Sequence, residues 1–230
     1  MTDFSIEPLA EDALLLRFGD HIAPETNARV HEAARALRVA DMRGLIDIAP
    51  AYATLLLRFD PFVLDGDAFW EKIAKALDDG RAVMRAATPR SVEIPVCYGG
   101  EYGPDIAAVA EHANLTTDEI IARHSVGKYF VAMLGFAPGF PYLLGLDPAL
   151  NVPRRANPRM CVPAGSVAIG GAQTGIYPRE LPGGWHLIGR TPSLLFDPVR
   201  NPPCLLGPGD RVHFRPIDAD EFARLSESRG

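Results

Sequence analysis

The stretch Met160–Pro178, MCVPAGSVAIGGAQTGIYP, runs for 19 residues without a charge and is interrupted by Pro163, Gly165, Gly170, Gly171 and Gly175. Proline removes a backbone donor and clashes with the preceding helical turn, so no helix runs through such a segment. Short strands and tight turns remain, with the β-branched Val162, Val167 and Ile169 as core positions. The same texture extends to both sides, since 14 of the 21 prolines lie between Pro138 and Pro216. Tyr129–Leu146 is a second uncharged run, of 18 residues, long enough to raise a membrane span. Gly135, Pro138, Gly139 and Pro141 exclude that, because a lipid-exposed break leaves backbone groups unpaired. The carboxyl half therefore reads as a β-barrel or sandwich.

Upstream, helical and strand periods alternate. Phe4–Pro8 and Ala13–Phe18 read as strands around the acidic turn Glu11-Asp12, and Leu45–Ile48 and Ala53–Phe59 as a second pair around Pro50. Pro24 suits a first helical turn, with Val30, Ala33, Ala34 and Leu37 on one face. Asp67 is placed to cap a second helix, with the stripe Phe69, Ile73, Ala76 and Leu77 and an end at Gly80. The order ββαββα predicts a two-layer α/β sandwich with an antiparallel sheet, and Asp79–Pro89 reads as the exit from it. The expected units are residues 1–88 and 89–230. Val92–Val96 begins the second, followed by a helix opening at Pro104 and another introduced by the capping box Thr116-x-x-Glu119. The tail from Asp218 reads as a short helix.

Composition narrows the function classes. With 230 residues, 47% hydrophobic and 23% charged, the chain has enough apolar surface for a core. The formal net charge of −6 argues against nucleic acid or an anionic membrane as the main partner. Residues 1–13 carry no basic residue and no apolar run, so no secretory or transit peptide is expected. Cys97, Cys161 and Cys204 are odd in number and far apart, which fits reduced thiols in a cytoplasm and neither a disulfide framework nor a metal site. The 20 Arg against 3 Lys are scattered along the whole chain, a pattern that codon usage explains.

Several catalytic signatures fail. His31-Glu32-Ala33-Ala34-Arg35 starts like a zinc-protease motif but ends in Arg and reads as a surface helix. Gly127-Lys128 lacks the upstream glycine of a P-loop, and Ser166 stands outside any G-x-S-x-G elbow. Between Pro148 and Phe196, however, Arg154, Arg155, Arg159, Arg179 and Arg190 face a single acid, Glu180. Guanidinium groups match carboxylate and phosphate geometry, so this half is expected to hold a cationic pocket for a small anionic substrate. Arg190, in the short turn Ile188–Pro192, is the first choice. The Gly170–Gly175 loop either offers bare N–H groups to a ligand or needs its glycines only for turns. His186, beside Trp185, is either a ligand-facing base or structural.

Four strings, PVCYGGEYGPD (Pro95–Asp105), LGFAPGFPYL (Leu134–Leu143), VPAGSVAIGGAQTGIYP (Val162–Pro178) and PGGWHLIGRTP (Pro182–Pro192), together resemble one family. It is the group of bacterial 5-oxoprolinase B subunits, also described as allophanate hydrolase subunit 1 or as Kip-type inhibitors of a sporulation histidine kinase. The resemblance extends to about Phe214. It implies an α+β chain with an N-terminal ferredoxin-like α/β sandwich followed by a C-terminal cyclophilin-like β-barrel. It implies partnership with a homologous barrel protein, the C subunit, and with an A subunit, the assembly opening the small acidic lactam 5-oxoproline to L-glutamate with ATP and Mg. The competing implication is a regulator that binds a histidine kinase. On this resemblance Gln173, Thr174 and the Gly170–Gly175 backbone would hold the amide, and Arg154, Arg155 and Arg190 the carboxylate or phosphoryl oxygens. Phe136, Tyr142 and Trp185 would shape the wall, and Tyr177, His186 and Ser166 complete the candidate set. Arg190→Ala is then expected to lose far more turnover than Arg200→Ala.

Overall fold

The computed structural model describes residues 4–63, 66–83 and 89–228. It is an α+β fold that divides into two compact units, Met1–Thr88 and Pro89–Gly230.

In the first unit β1 (Ser5–Ala10), β2 (Ala13–Arg17), β3 (Leu45–Pro50) and β4 (Thr54–Phe59) form a sheet in the order β1-β2-β4-β3. Every pairing in it is antiparallel. Helices α1 (Pro24–Val39) and α2 (Gly66–Val83) share a core with the sheet. The i, i+3, i+4, i+7 stripe of α1 is buried throughout. Asn27 also faces inward, its amide donating to the carbonyls of Ala51 and Tyr52 and so tying the β3–β4 turn to the helix. Two expectations change here. His31 lies on the buried face of α1 and only Glu32 faces water, so the H-E sequence belongs to a core-facing helix. Helix α2 runs through Gly80 to Val83, because one glycine costs a helix only about 1 kcal/mol. The side chain of Asp67, and residues 84–88 of the exit segment, lie outside the described residues.

The second unit is built on seven strands: β5 (Ser91–Tyr98), β6 (Tyr129–Leu134), β7 (Pro141–Leu144), β9 (Ser166–Gly170), β10 (Gln173–Ile176), β12 (His186–Arg190) and β13 (Arg211–Ile217). They close into a barrel in the order β10-β7-β6-β13-β5-β12-β9. The first and last strands pair in parallel, Ser91 to Arg211 through Cys97 to Ile217. Closure removes the free edges that so many short strands would otherwise expose. A separate ribbon pairs β8 (Arg159–Val162) with β11 (Leu181–Gly183). Helices α3 (Ile106–Ala113), α4 (Thr117–Val126) and α5 (Ala219–Glu227) complete the unit. The capping box at α4 forms in both directions between Thr116 and Glu119. Pro104 does not open α3; the N-cap is Asp105, whose side chain makes no bond to its own helix. No helix among the described residues is long and apolar enough to cross a membrane.

The barrel interior is filled. Ile94, Val96, Val131, Val167, Ile169 and Ile188 are among its fully buried residues. One polar chain crosses this core. Thr174 Oγ1 donates to the Ala168 carbonyl at 3.0 Å, which leaves it an acceptor for His124 Nε2 at 3.0 Å. That fixes the Nε2–H tautomer, and Nδ1 then accepts from the Tyr98 hydroxyl at 2.8 Å. The imidazole is stacked on Phe214 at 4.5 Å. Burial lowers the His124 pKa to about 3. An unfolded histidine titrates near pH 6.5, so acid favours the unfolded chain by several kcal/mol spread between about pH 6.5 and 3. Wild type is therefore expected to lose stability relative to His124→Asn as the pH falls through that window. Denaturant titrations at stepped pH check this, and parallel curves would refute it.

Candidate functional site

Side chains alternate across a strand. In β9, Val167 and Ile169 belong to the barrel core while Ala168 faces out; in β12, Ile188 faces in and Leu187 out. The outward residues do not meet water. They join Ala137, Phe140, Val162, Tyr177 and Trp185 in a second buried cluster, against which Tyr142 and Leu181 also pack. The ribbon supplies Val162 and Leu181, which pair in register. Phe140 is the hub, with ring centroids of Tyr142, Tyr177, Phe136 and Trp185 at 4.9, 5.2, 5.4 and 5.8 Å, mostly edge to face. The structure thus brings together Phe136, Tyr142, Tyr177 and Trp185 on the outside of the barrel wall.

Two glycines make this layer possible. A Cβ on Gly170 would sit 2.6 Å from the Trp185 ring, and one on Gly183 would sit 2.1 Å from the Tyr177 hydroxyl. The glycines of the sequence motif serve close aromatic approach. Phe136 occupies a positive φ of 66°, in a turn where the Ala137 N–H reaches the Gly135 carbonyl at 2.7 Å. This is the rare, strained form of γ-turn, at a cost of about 1–3 kcal/mol. It holds a phenylalanine that is 60% exposed.

The arginines disperse. Arg155 donates to Asp105 Oδ1 at 3.0 Å, and Arg159 donates to both Asp105 oxygens at 2.7 and 2.8 Å. Asp105 is 5% exposed and also accepts from the Leu187 N–H at 2.8 Å. Burial raises the Asp105 pKa, but the Arg159 and Leu187 hydrogen bonds and the two positive charges more than offset it, leaving a net lowering. Arg190 donates through Nε to the Ala164 carbonyl at 2.8 Å, at the far end of β12 from His186, four residues or about 13 Å away. Only Arg154 stands over the aromatic layer, with its guanidinium carbon 5.8 Å from the Trp185 ring centroid. The expected cationic hollow is corrected accordingly: the barrel has a solid core, two of the five arginines share a carboxylate 50 or more residues upstream, and Arg190 is remote from Arg154. Arg200 also proves unsuitable as an inert comparison, because its guanidinium donates to the carbonyls of Leu194, Leu195, Pro202 and Pro203.

The Thr174 hydroxyl faces the core and His124, so it is not presented to a ligand. Gly170–Gly175 is a hairpin with Gly171-Ala172 at its tip, and the Gly171 N–H goes to the Val152 carbonyl at 2.7 Å, so the loop is no nest of bare amides. Gly175 lies in β10 opposite Tyr142 and Ala168. Gln173 is half-buried at the start of β10, and Ser166 is buried at the start of β9, opposite Arg190. His186 Nε2 donates to the Pro153 carbonyl at 3.0 Å. Asp105 is the residue that sequence reasoning missed, because its partners Arg155 and Arg159 lie 50 and 54 residues away.

The result is a buried aromatic layer, with Trp185 5% and Tyr177 2% exposed, whose accessible members are Phe136, the half-buried Tyr142 and the Arg154 guanidinium beside the indole. Burial raises the pKa of both Tyr142 and Tyr177; the Arg154 charge pulls Tyr142 back, and at Tyr177 the backbone hydrogen bond from Trp185 does so first, with the Arg154 and Arg159 charges after it. Both are neutral hydrogen-bond donors at physiological pH. Such a surface suits a small, flat anion with an apolar edge. Among the described residues no three His, Cys, Asp or Glu side chains group to hold a metal ion.

Two substitutions test this layer. Gly170→Ala is expected to destabilise by about 1–3 kcal/mol, since the indole must move, and to red-shift Trp185 emission. Asp105→Ala leaves two partly buried guanidiniums unpaired and is expected to cost about 2–4 kcal/mol at pH 7. Because the folded carboxyl titrates below the usual aspartate range, that stabilisation is complete above about pH 4 and is lost as the pH falls through the lowered value. Denaturant unfolding at pH 7 and pH 3 measures both, and a gap that is equal at the two values contradicts the ion-pair account.

Known proteins match nearly the whole chain. Residues 4–206 match the carboxyltransferase domain family, subdomain C and D. The 5-oxoprolinase B subunit of Bacillus subtilis (strain 168) is 41% identical over 238 residues, covering 97% of each chain. That of Escherichia coli O157:H7 is 43% identical over 210 residues, covering 90% of this chain and 94% of the other. A crystal structure of TTHA0988 superposes with a TM-score of 0.80 at 40% identity, over 90% of this chain, which spans 40% of that longer one. By these full-length matches the chain belongs to the family of 5-oxoprolinase B subunits, within the carboxyltransferase subdomain C and D fold.

Proposed function

We propose that this chain is one component of an ATP-dependent 5-oxoprolinase, acting in the cytoplasm with a homologous barrel protein (the C subunit) and an A subunit to open the 5-oxoproline lactam to L-glutamate. The observation that carries this reading is the 40–43% identity, over nine-tenths or more of the chain, to proteins named as the B subunit of 5-oxoprolinase. In the same reading the four-stranded unit is a ferredoxin-like sandwich and the seven-stranded unit a cyclophilin-like barrel. The three free cysteines accord with a reducing compartment.

The outer aromatic face supplies a role for this chain. 5-Oxoproline is a flat five-membered ring bearing one carboxylate. In this reading its ring edge meets the half-buried Tyr142 at the edge of the layer, and the exposed Arg154 guanidinium, packed on the buried Trp185, holds its carboxylate. Holding both ends orients the lactam carbonyl, the kind of positioning that accelerates acyl and phosphoryl transfer. The exposed Phe136 at the rim suits contact with the C subunit. The hairpin Gly170–Gly175 does not offer the amide cradle a triphosphate needs, so Mg–ATP is assigned to the assembled complex.

The test is co-expression of the three subunits and assay of ATP-dependent glutamate release. Arg154→Gln is expected to raise the KM for 5-oxoproline about tenfold, the loss of one charge-assisted contact. Arg224→Ala, exposed on α5, should leave KM unchanged. Absence of ATP-dependent turnover from a co-purified complex would overturn the assignment, and an unchanged KM in Arg154→Gln would remove the site from it.

A further inference from the structure

Arg154 sits in a segment, Val152–Arg155, that has no regular structure beyond the single bridge Val152↔Gly171, yet the segment is fastened at several points. The His186 imidazole donates to the Pro153 carbonyl at 3.0 Å, one residue before Arg154. One residue after it, the Arg155 N–H donates to the Gly184 carbonyl at 2.8 Å, and the Arg155 guanidinium reaches Asp105 at 3.0 Å. The partner ring is fastened from the same place. Leu187, two residues beyond Trp185, exchanges two bonds with Asp105: its N–H donates to Oδ2 at 2.8 Å and its carbonyl accepts from the Asp105 N–H at 2.9 Å.

Asp105 occupies the N-cap position of α3, where a carboxylate ordinarily accepts from the first-turn N–H groups. It makes no such bond. The carboxylate turns instead to the ribbon and to β12, so its stabilising effect falls on the two segments that carry Arg154 and Trp185. A charge buried to this degree holds its partners within a narrow geometry, because any displacement leaves it undersolvated.

We infer that Asp105 and His186 are positioning residues that hold the Arg154 guanidinium over Trp185. One carboxylate references both members of the pair, and the imidazole fixes the chain on the other side of Arg154. This deepens the proposed function, and rests on it only in that the positioned pair is the substrate-facing one.

The test reads the pair directly. Trp70 and Trp185 are the two tryptophans, so Trp70→Phe in the full chain leaves Trp185 as the sole indole. The guanidinium packs on an indole that is 5% exposed, so its displacement uncovers the ring. Arg154→Ala is expected to raise the acrylamide quenching constant about twofold. Asp105→Asn, measured well below its melting temperature, should give at least half of that rise and add little to it in the Arg154→Ala background, and Asp105→Glu should recover most of the parental value. Should Asp105→Asn not fold, Arg155→Gln frees the same segment while Arg159 still pairs Asp105, and the same rise is expected. Quenching unchanged from the Trp70→Phe parent in a folded Asp105→Asn or Arg155→Gln overturns the inference, as does no effect of Arg154→Ala. In the assembled complex Asp105→Asn should raise the KM for 5-oxoproline several-fold with kcat within about twofold. A quenching rise without a KM change keeps the positioning and overturns the substrate reading.

Discussion

Four strands of the barrel wall, β7, β10, β9 and β12, are covered on both faces, and the rest of this half depends on that constraint. A wall wet on one side would alternate apolar with polar residues. Here the inner positions are aliphatic apart from Thr174, while the outer ones, such as Ala168, Leu187 and Tyr142, are uncharged and pack with Val162 and Leu181 of the β8–β11 ribbon. Uncharged runs of 18 and 19 residues follow from that double burial. So does the placement of Gly170 and Gly183, which lie where an indole and a phenol rest on the backbone.

Double burial leaves little room for charge, and what charge there is becomes organised. Asp105 gathers Arg155 and Arg159, and the Leu187 N–H completes its coordination. Arg190 and Arg200 are held by main-chain carbonyls. Each of these guanidiniums sutures loops that prolines keep from forming longer elements. Arg154 differs in facing an aromatic ring, and the five arginines between Pro148 and Phe196 resolve into three fasteners, Arg155, Arg159 and Arg190, and two exposed residues, Arg154 and Arg179.

Much of this was legible in the sequence wherever the determining contacts are local. Proline density excluded long helices between Pro138 and Pro216, the stripe on α1 gave its buried face, and Thr116-x-x-Glu119 formed the box its spacing called for. The aromatic set Phe136, Tyr142, Tyr177 and Trp185 was also identifiable, because each lies within an uncharged or glycine-rich motif. What escaped involves partners distant in the chain. Asp105 meets Arg155 and Arg159 across 50 and 54 residues, and His124 meets Thr174 across 50. Neither pairing leaves a periodic or spaced signal. Local charge counting between Pro148 and Phe196 consequently overstated the free positive charge, and the Thr174 hydroxyl was assigned outward although its β-period position faces the core. His31 misled for a related reason: a polar residue at a core position needs knowledge of what it packs against.

The central claim is that the outer aromatic face beneath Arg154, and not the barrel interior, receives the substrate. Two tryptophans give two indole N–H resonances, one in each unit, in a spectrum of the assembled complex with ¹⁵N-labelled tryptophan in this chain. On titration with 5-oxoproline the account predicts a saturable shift of the Trp185 resonance with that of Trp70 unmoved. A saturable shift of Trp70 alone, or no shift at either indole at concentrations that saturate turnover, would contradict it.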